Sequence, residues 1–511
     1  MAHVTSTTPD ARWAVDLLRS MASRGAETAF TDGVATRSHA ESHARAVALA
    51  RVLGAKGLGP GDRVALVVES TADAVEGYLA VNLVGATAVQ VNDRLAGPEI
   101  AEILGLVGPR AVLHTAAHAD RLAELVSGSG IDLVALGGPL DVVSGAGAPY
   151  VAVDPGAPSV IGFTSGTTGR PKGVVHTHDN LGRIVRYMPI HNHLGWGSRC
   201  AMTGTLAFAA GIWGVVLPHL YLGGTISWMA GLPAEEWVDR MVRERSTFTY
   251  CPTPLFGAFT EAVAARPEVL ESLSSVLHSG SAATREATAA LVEVIGGRFT
   301  ETYGMTETGS PVTTTGPDDF APWSAADDAL ASAGRVIPLA RVAVLGEDGA
   351  EVPAGTEGEL VVETPFAFDG YWDDPAQTAE ALVDGRVHTG DRGTLDEAGF
   401  LYVLGRSKDM IVSGGMNVYP AEVERVLAQA DGIADVAVFG VTHERWGETV
   451  AAAVVARSGE AVDVEAVMAF ARERLAGYKK PTVVHVVEEL PRNANLKVRK
   501  DVLRRQFDPE R

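Results

Sequence analysis

Cysteine is almost absent from this chain, whose 511 residues include only Cys200 and Cys251. Two cysteines are too few for a disulfide framework, and their separation does not match the C-x-x-C spacing of metal and redox motifs. The first residues also lack a basic segment followed by an apolar run, which is the pattern of a secretory signal. We therefore expect a cytoplasmic protein whose thiols stay reduced.

Basic residues are also in deficit, since 42 Lys and Arg stand against 63 Asp and Glu, for a formal net charge of −21. The field of such a chain repels phosphate backbones and anionic lipid surfaces. This excludes general binding of nucleic acid, and it requires any phosphate site to be local.

Long uninterrupted apolar runs are missing as well. The longest candidate, residues 211–232, is interrupted by Pro218, His219 and five glycines, so we expect no membrane span. The chain is, however, long and rich in apolar residues. Hydrophobic residues make up 46% of it, which is enough for two or more domains with cores of their own.

Strand and helix patterns alternate through the N-terminal part. Residues 62–69 and 86–91 have the character of buried strands, and residues 72–84 between them have apolar residues at helical spacing. The alternation continues through residues 111–136. This order predicts an α/β fold, with parallel or mixed sheets covered by helices.

The pattern changes after Gly405, where a turn-rich stretch precedes helix and strand patterns between residues 421 and 475. The remaining segment is long enough for a small α+β domain. We therefore predict an N-terminal domain of residues 1–407 and a C-terminal domain of residues 408–511, with a hinge near residues 406–409.

The stretch FTSGTTGRPKGV, residues 163–174, combines glycines, hydroxyls and one lysine directly after a predicted strand. Glycines let backbone N–H groups close on an anion, and the lysine adds positive charge. The P-loop pattern G-x-x-x-x-G-K-[ST] is not met, because Pro171 and Gly173 occupy its second Gly and its Ser/Thr position. The stretch thus indicates a phosphate loop of another class.

Five motifs, taken in order and spacing, make the chain resemble the adenylate-forming superfamily. This superfamily contains acyl- and aryl-CoA synthetases, peptide-synthetase adenylation domains and beetle luciferases, and the chain is most similar to the acyl- and aryl-CoA ligases. The five motifs are FTSGTTGRPKGV (163–174), TYGMTET (302–308), HTGDRG (388–393), GRSKDMIVSGGMNVYPAEVE (405–424) and LPRNANLKVRK (490–500). One such motif can match by chance, but five in the family's order leave little room for it.

The resemblance implies an ATP site with Mg²⁺, in which donors and cations meet the charge that develops at the α-phosphate. The residues implied for nucleotide binding are Thr164, Ser165, Gly166, Thr167, Thr168 and Lys172 at the phosphates, Gly280, Ser281, Ala282 and Tyr303 at the adenine, and Asp391 and Arg406 at the ribose. Thr306 would hydrogen-bond the α-phosphate, Glu307 would hold Mg²⁺, and Lys497 would bridge the carboxylate and the α-phosphate during adenylation. The family usually has Gly where Ser281 and Leu496 stand.

The resemblance also implies a second half-reaction. Gly414 and Gly415 match the segment that lines the pantetheine tunnel of CoA ligases, which makes coenzyme A the first choice of acceptor. A carrier protein presents the same phosphopantetheine thiol. Because Lys497 and the SGGMN stretch serve different half-reactions, we expect the C-terminal domain to be mobile and to turn about Lys408.

The motif LAFAAGIWG indicates the class of acid. It resembles the family's gate motif, and Phe208 stands at the gate position, where many CoA ligases have His. Amino-acid-activating relatives have Asp at the next position, whereas this chain has Ala209. Without that carboxylate a buried substrate ammonium would lack its partner, so an apolar acid is favoured. The small residues Ala209 and Gly211 suit either a roomy pocket for a bulky, cyclic or medium-chain acid or close helix packing.

Three hypotheses follow from these patterns. The first is an AMP-forming carboxylic acid:CoA ligase. The second is a stand-alone adenylating enzyme that loads a carrier protein, which an assay with both thiol acceptors distinguishes. The third is a catalytically silent adenylate-binding protein, which would have no need of Glu307 or Lys497.

Overall fold

The computed structural model describes residues 12–138, 150–165, 171–208, 210–280, 283–321, 324, 328–406, 409–413, 416–443, 446–493 and 497–508. The chain forms two compact units. The large unit comprises Met1–Val342 and Val362–Val387, and the small unit comprises Ala343–Val361 and His388–Arg511. Residues 407 and 408 lie outside the described ranges, so the predicted boundary between them stays a prediction.

The helices are distributed over both units. In chain order they are α1 (Trp13–Arg24), α2 (His39–Ala55), α3 (Ala72–Leu83), α4 (Gly97–Val107), α5 (Ala119–Leu125), α6 (His178–His191), α7 (Leu217–Tyr221), α8 (Ala234–Glu244), α9 (Phe256–Ala265), α10 (Arg285–Ile295), α11 (Pro375–Ala381), α12 (Pro420–Leu427), α13 (Val464–Arg474) and α14 (Lys500–Phe507). Several begin at the N-caps that the sequence offers. Ser38 and Glu41 form a capping box on α2, and Thr71 and Thr177 accept backbone N–H bonds at α3 and α6.

The strands are short, as is usual in globular proteins. In chain order they are β1 (Thr28–Thr31), β2 (Thr36–Ser38), β3 (Arg63–Val67), β4 (Thr87–Val91), β5 (Ala111–His114), β6 (Asp132–Ala135), β7 (Pro158–Ser165), β8 (Pro171–Thr177), β9 (Arg199–Met202), β10 (Thr225–Trp228), β11 (Phe248–Tyr250), β12 (Ser275–Ser279), β13 (Phe299–Gly304), β14 (Pro311–Thr314), β15 (Arg335–Val336), β16 (Arg341–Leu345), β17 (Gly358–Glu363), β18 (Gly370–Tyr371), β19 (Leu382–Val383), β20 (Arg386–Leu395), β21 (Leu401–Arg406), β22 (Ile411–Ser413), β23 (Met416–Val418), β24 (Ile433–His443), β25 (Gly447–Ala456) and β26 (Val483–Val487).

One sheet of the large unit has the strand order β18-β8-β7-β4-β3-β5-β6. Its strands β7, β4, β3, β5 and β6 are parallel, as the alternation of strand and helix patterns predicts. Strand β8 returns antiparallel to β7. The carboxyl ends of β3, β4 and β7 therefore lie at one edge, and that edge leads into the phosphate loop.

A second sheet of the large unit has the order β15-β14-β13-β12-β11-β9-β10-β1-β2. Its middle strands, from β13 through β1, are parallel, and antiparallel strands close both ends. Buried aromatic and aliphatic residues of α8, α9 and α10 cover part of it, with Trp237 and Phe259 stacked at 4.4 Å between ring centroids. The predicted mixed sheets covered by helices are confirmed.

The apolar stretch of residues 211–232 does not form one helix. It contains most of a π-helical turn, Ala210–Val216, followed by α7 and then by β10. In the described part of the chain, no helix combines the length and the apolar character that crossing a bilayer requires.

Two sheets supply the strands of the C-terminal segment. One has the order β16-β17-β20-β19 with β21 beside β20, and the other has the order β23-β22-β25-β24 with β26 beside β25. The stretch predicted as turn-rich contains the paired strands β22 and β23. Ile411 lies opposite Val418 in this pair, and burial of both side chains stabilises it. With α12, α13 and α14, the small unit is a smaller α+β domain, as the sequence predicts, and besides residues of the predicted segment 408–511 it includes Ala343–Val361 and the residues from His388 on.

Candidate active site

Strands β7 and β8 form a β-hairpin, called the phosphate hairpin below, and the predicted phosphate loop joins the two strands. Strands β7 and β8 pair antiparallel, so that Thr164 lies opposite Lys172, and Ser165 lies opposite Pro171. Gly173 is held close to its neighbours, because a Cβ there would lie 2.9 Å from Cγ2 of Ile161. The hairpin therefore brings together the first hydroxyl and the lysine of the predicted phosphate site.

Lys172 and Glu307 contact the same tyrosine. The Lys172 Nζ atom lies 4.9 Å from the ring centroid of Tyr371, which is a cation–π distance. The Tyr371 hydroxyl donates a hydrogen bond of 2.9 Å to Oε1 of Glu307. Tyr371 stands on β18, which pairs with β8. One ring thus joins the phosphate loop to the Tyr-Gly-x-Thr-Glu motif.

Glu307 suits a magnesium ion that arrives with a nucleotide. Its side chain is buried, with the residue 5% exposed, and one of its oxygens already accepts the Tyr371 bond. Among the described residues, no three His, Cys, Asp or Glu side chains are grouped to hold a metal by themselves. Mg²⁺ in nucleotide enzymes is commonly bound through one or two carboxylates together with substrate phosphates and water. A lone buried carboxylate near a phosphate loop fits that pattern.

His176 holds the backbone of the same motif. Its Nε2 lies 2.7 Å from the carbonyl oxygen of Thr306, and its ring packs edge-on against Trp213 at 5.0 Å between centroids. Burial lowers the pKa of His176 to about 4, so the ring is neutral at neutral pH and donates its Nε2–H to that carbonyl. The histidine thereby positions Thr306 and, next to it, Glu307.

Two of the predicted adenine residues, Gly280 and Tyr303, lie at the ends of adjacent parallel strands. In the register of β12 and β13, Ser279 pairs with Thr302, so Gly280 and Tyr303 follow at the same edge of the sheet. Gly280 has φ +87°, a conformation that favours glycine. Beneath them, His278 Nδ1 lies 2.6 Å from a carboxylate oxygen of Glu301. Burial raises the pKa of Glu301, and the histidine opposes that rise.

The gate motif is tightly folded. A Cβ on Gly211 would lie 2.0 Å from the carbonyl oxygen of Thr205, so no side chain fits there. The backbone N–H groups of Gly211 and Ile212 both bond the carbonyl of Phe208, at 3.0 and 3.3 Å, at the start of the π-helical turn. For Gly211, close packing explains the small residue. Its place in the acyl pocket, with Phe208, stays a prediction.

The two predicted ribose residues of the small unit contact each other. Asp391 on β20 pairs in register with Arg406 on β21, and Arg406 Nε lies 3.2 Å from Oδ1 of Asp391. The Asp391 carboxylate is 9% exposed, and its backbone N–H donates to the hydroxyl of Thr389 at 3.0 Å. A buried carboxylate with one charged partner is suited to accept two ribose hydroxyls.

Lys497 is exposed on a turn of the small unit. Its backbone N–H donates to Oδ1 of Asn493 at 3.0 Å, and its carbonyl accepts from the N–H of Asn493 at 2.9 Å. An isolated bridge between Arg492 and Val498 closes the turn. Two bonds to Asn493 therefore hold the backbone of Lys497 itself.

Several predicted residues cannot be placed. The following lie outside the described residues: Gly166, Thr167, Thr168, Ala209, Ser281, Ala282, Lys408, Gly414 and Gly415. Their roles stay predictions.

Sequence reasoning missed Tyr371, His176 and Trp213. Tyr371 is 64 residues from Glu307, and His176 is 130 residues from Thr306. A single tyrosine or histidine at such a separation leaves no periodic signal. The only sequence feature that pointed to His176 was its position, three residues beyond Gly173 of the phosphate motif.

Comparison with known proteins gives the same picture as the geometry. The family model described as "AMP-binding enzyme" matches residues 17–372, and the model described as "AMP-binding enzyme C-terminal domain" matches residues 422–497. The two models together cover the motifs at residues 163–174 and 302–308 completely. They cover part of each of the two C-terminal motifs and none of the ribose motif.

Individual relatives match over nearly the full length. The chain is 34% identical to a feruloyl-CoA synthase of Amycolatopsis sp, covering 94% of this chain and 96% of that protein. It is 31% identical to the fatty acid–[acyl-carrier-protein] ligase ScoC of Streptomyces coeruleorubidus, covering 92% of each. The solved structure of the amide bond synthetase McbA from Marinactinospora thermotolerans superposes with a TM-score of 0.87 at 28% identity, covering 98% of this chain and 100% of that one.

These matches confirm the prediction from the five motifs: the chain belongs to the AMP-binding enzyme family, whose members are adenylate-forming enzymes.

Proposed function

We propose that this protein is an ATP-dependent, AMP-forming carboxylic acid:CoA ligase that acts on an apolar, bulky or cyclic acid. The acid is first joined to AMP with release of pyrophosphate, and the acyl group is then transferred to the thiol of coenzyme A. The observation that carries the proposal is the contact chain from Lys172 through Tyr371 to Glu307, which places a cation and a carboxylate beside the phosphate hairpin.

The residues of the large unit would bind and orient the nucleotide. Thr164 and Lys172 stand opposite each other at the mouth of the loop, where they would hold the phosphates. Thr306, whose carbonyl His176 holds, would bond the α-phosphate through its hydroxyl. Glu307 would bind the Mg²⁺ that neutralises phosphate charge. Because Glu307 and the backbone of Thr306 are held by hydrogen bonds, little reorganisation is needed when charge develops.

The residues of the small unit would serve the ribose and the developing charge. Asp391 would accept both ribose hydroxyls, with Arg406 at its side. Lys497, on its exposed turn, would bridge the carboxylate and the α-phosphate, a task for a compact cation on a flexible stem. We keep Lys408 as the proposed hinge, since proline there should retain adenylation and lose thioester formation.

The choice of an apolar acid rests on the gate motif. Phe208 stands at the gate of this motif, and Ala209 supplies no carboxylate for a substrate ammonium. The similarity to a feruloyl-CoA synthase supports an acid with a ring. Coenzyme A is the proposed acceptor and the cytoplasm the proposed location, in keeping with the two buried thiols.

A carrier protein is the second candidate acceptor, and the similarity to an acyl-carrier-protein ligase favours it. Both acceptors end in the same phosphopantetheine thiol, so the proposed nucleotide-binding residues would serve either one.

The test is a pyrophosphate-release screen over aromatic, alicyclic, medium-chain and amino acids with ATP and Mg²⁺, followed by a thioester assay that offers CoA and a phosphopantetheinylated carrier in parallel. We expect apolar acids to release pyrophosphate and CoA to accept the acyl group. Release with amino acids alone would contradict the acid class. Thioester on the carrier alone would select the second candidate, and no release with any acid would overturn the enzyme proposal.

A further inference from the structure

Strand β26 lies at an edge of its sheet in the small unit. Among the described strands it pairs with β25 alone, in parallel, with Val483 opposite Ala451. The two strands differ in burial. Residues 451–454 of β25 are 0% exposed, whereas no residue of β26 is buried and Val486 is 49% exposed. This difference indicates that the side of β26 away from β25 is open.

The backbone groups on the open side follow from the first bond of the ladder. The N–H of Thr482 donates to the carbonyl of Val450 on β25 at 2.8 Å. Along a strand, the backbone groups of successive residues point alternately to the two sides. The even-numbered residues of β26 therefore face β25, and Val483, His485 and Val487 direct their N–H and C=O groups to the open edge. Such a row of groups is a template for pairing with another strand.

The sequence of β26, VVHVV, reads the same in both directions about His485. An antiparallel partner of the same sequence, related by a two-fold axis at His485, would place Val483 opposite Val487 and His485 opposite its own copy. All of these residues direct their backbone groups to the edge, so they match as hydrogen-bonded pairs. A two-fold interface requires a self-complementary surface of this kind, and β-branched side chains that face each other stabilise strand pairs.

The charges that flank β26 favour the antiparallel direction. Lys480 precedes the strand, and Glu488 and Glu489 follow it. In an antiparallel pair the start of each strand lies beside the end of the other, so this lysine of each copy approaches the glutamates of the other copy. A parallel pair would bring like charges together, which is unfavourable.

His485 also has a polar atom that a second copy could pair. Its ring stacks on Phe507 of α14 at 3.9 Å between centroids, and its Nε2 atom is buried without a hydrogen-bond partner among the described residues. Buried polar atoms normally have partners. A second copy would bring another imidazole opposite this ring, and a neutral imidazole both donates and accepts a hydrogen bond.

We propose that the open edge of β26 is a homodimer interface, in which the β26 strands of two copies of this chain pair antiparallel about a two-fold axis at His485 and join their two sheets into one.

Sedimentation of the full chain over about a hundredfold range of concentration tests the occupant. Because β26 has only five residues, it buries little area, and we expect a dimer that forms as the concentration rises and dissociates on dilution. Val486→Lys places a charge on an exposed position of the edge and should raise the dissociation constant by about tenfold or more. Val383→Lys, at a 38% exposed valine of the edge strand β19, is the matched control and should keep the parental constant.

Cysteine crosslinking tests the register. His485→Cys places two cysteines on the axis, at the Cα separation of about 5.5 Å of a hydrogen-bonded pair, which a disulfide spans. Val486 is the more exposed position, but its two copies lie two residues apart along the paired strands, beyond the Cα separation of about 7 Å that a disulfide allows. Under mild oxidation we expect His485→Cys to form a covalent dimer at least about tenfold faster than Val486→Cys, because the spacing decides the rate. Cys200 and Cys251 are buried.

A parent that stays monomeric at every concentration would overturn the inference and leave the edge to a strand of a different protein. A dimer that Val486→Lys leaves unchanged would overturn it too, since the interface would then lie elsewhere. Faster crosslinking of Val486→Cys would overturn the axis at His485. These measurements require neither the acid nor the acceptor, so their outcome is independent of the proposed function.

Discussion

The phosphate hairpin of the large unit and the Lys497 turn of the small unit differ in how deeply their functional groups are buried. Around the hairpin, Glu307 is buried, and Tyr371 and His176 contact it or its neighbour through direct hydrogen bonds. On the turn, Asn493 bonds the backbone of Lys497, and the lysine is exposed.

This difference matches the two tasks that we propose. Groups that bind a nucleotide throughout the reaction gain from rigid, buried partners, because their dipoles are already oriented. A cation needed in one half-reaction only gains from a long stem on the surface, which costs little to move. The predictions below separate these tasks, from the largest expected effect to the smallest.

Removing the cation of the turn should affect one half-reaction only. We expect Lys497→Ala to lower acid-dependent pyrophosphate release by about 10²–10³-fold, the usual loss for one group that stabilises transition-state charge. Thioester formation from supplied acyl-adenylate and CoA should stay within a few fold of the parent. Lys500→Ala, which removes a lysine paired with Glu424 at 2.7 Å, is the control. Equal loss in both halves would contradict the division of labour.

Changing the buried carboxylate should weaken the metal dependence. Glu307→Gln keeps an oxygen for the Tyr371 hydroxyl but removes the charge that attracts Mg²⁺. We expect about 10²-fold slower adenylation at low Mg²⁺, with partial recovery as Mg²⁺ is raised, measured by titration of the initial rate. Tyr371→Phe should cost less, about tenfold, because it removes a support and not the ligand. A rate of Glu307→Gln that is independent of Mg²⁺ would place the ion elsewhere.

The ribose carboxylate should contribute to affinity in proportion to its charge. We expect Asp391→Asn to weaken ATP binding by about 1–3 kcal/mol, the range for hydrogen bonds to charged groups, measured by calorimetry. Asp435→Asn removes the partner of Arg492 on the surface of the same unit and should leave ATP affinity unchanged. Unchanged affinity in Asp391→Asn would move the ribose site away from this residue.

The histidine behind Thr306 should make stability depend on pH. Since burial lowers the pKa of His176 to about 4 from 6.5, the unfolded chain takes up this proton first as the pH falls. The loss of folding stability linked to this proton is absent above pH 6.5 and grows as the pH falls toward 4. Near pH 4 the loss amounts to about 3 kcal/mol. His178 and His219, also lowered to about 4, act in the same direction.

His176→Gln should remove this part of the acid sensitivity, because a glutamine N–H can donate to the Thr306 carbonyl without titrating. We expect the melting temperature of the variant to fall less than that of the parent between pH 7 and pH 5. His443→Gln, on a half-buried strand end, is the control. Parallel curves for the parent and His176→Gln would show that this histidine is not the titrating group.

Some contacts among the predicted residues follow from contiguous motifs. The stretch from Thr164 to Lys172 is short enough that a hairpin brings its ends together, and Asp391 meets Arg406 because only fourteen residues of strand, turn and strand lie between them. The tight turn at Gly211 was predictable only as one of two alternatives. Its small size suits a pocket or close packing; the contact with Thr205 shows the packing, and its place in a pocket stays a prediction.

By itself, the sequence determined the family and the α/β fold with its smaller C-terminal domain, because strand and helix periodicity and contiguous motifs are local properties. Only the tertiary structure decided that Tyr371 joins Lys172 to Glu307 and that His176 holds Thr306. These contacts join residues far apart in the chain. Their partners are set by how sheets and helices pack, and no spacing in the sequence records that choice.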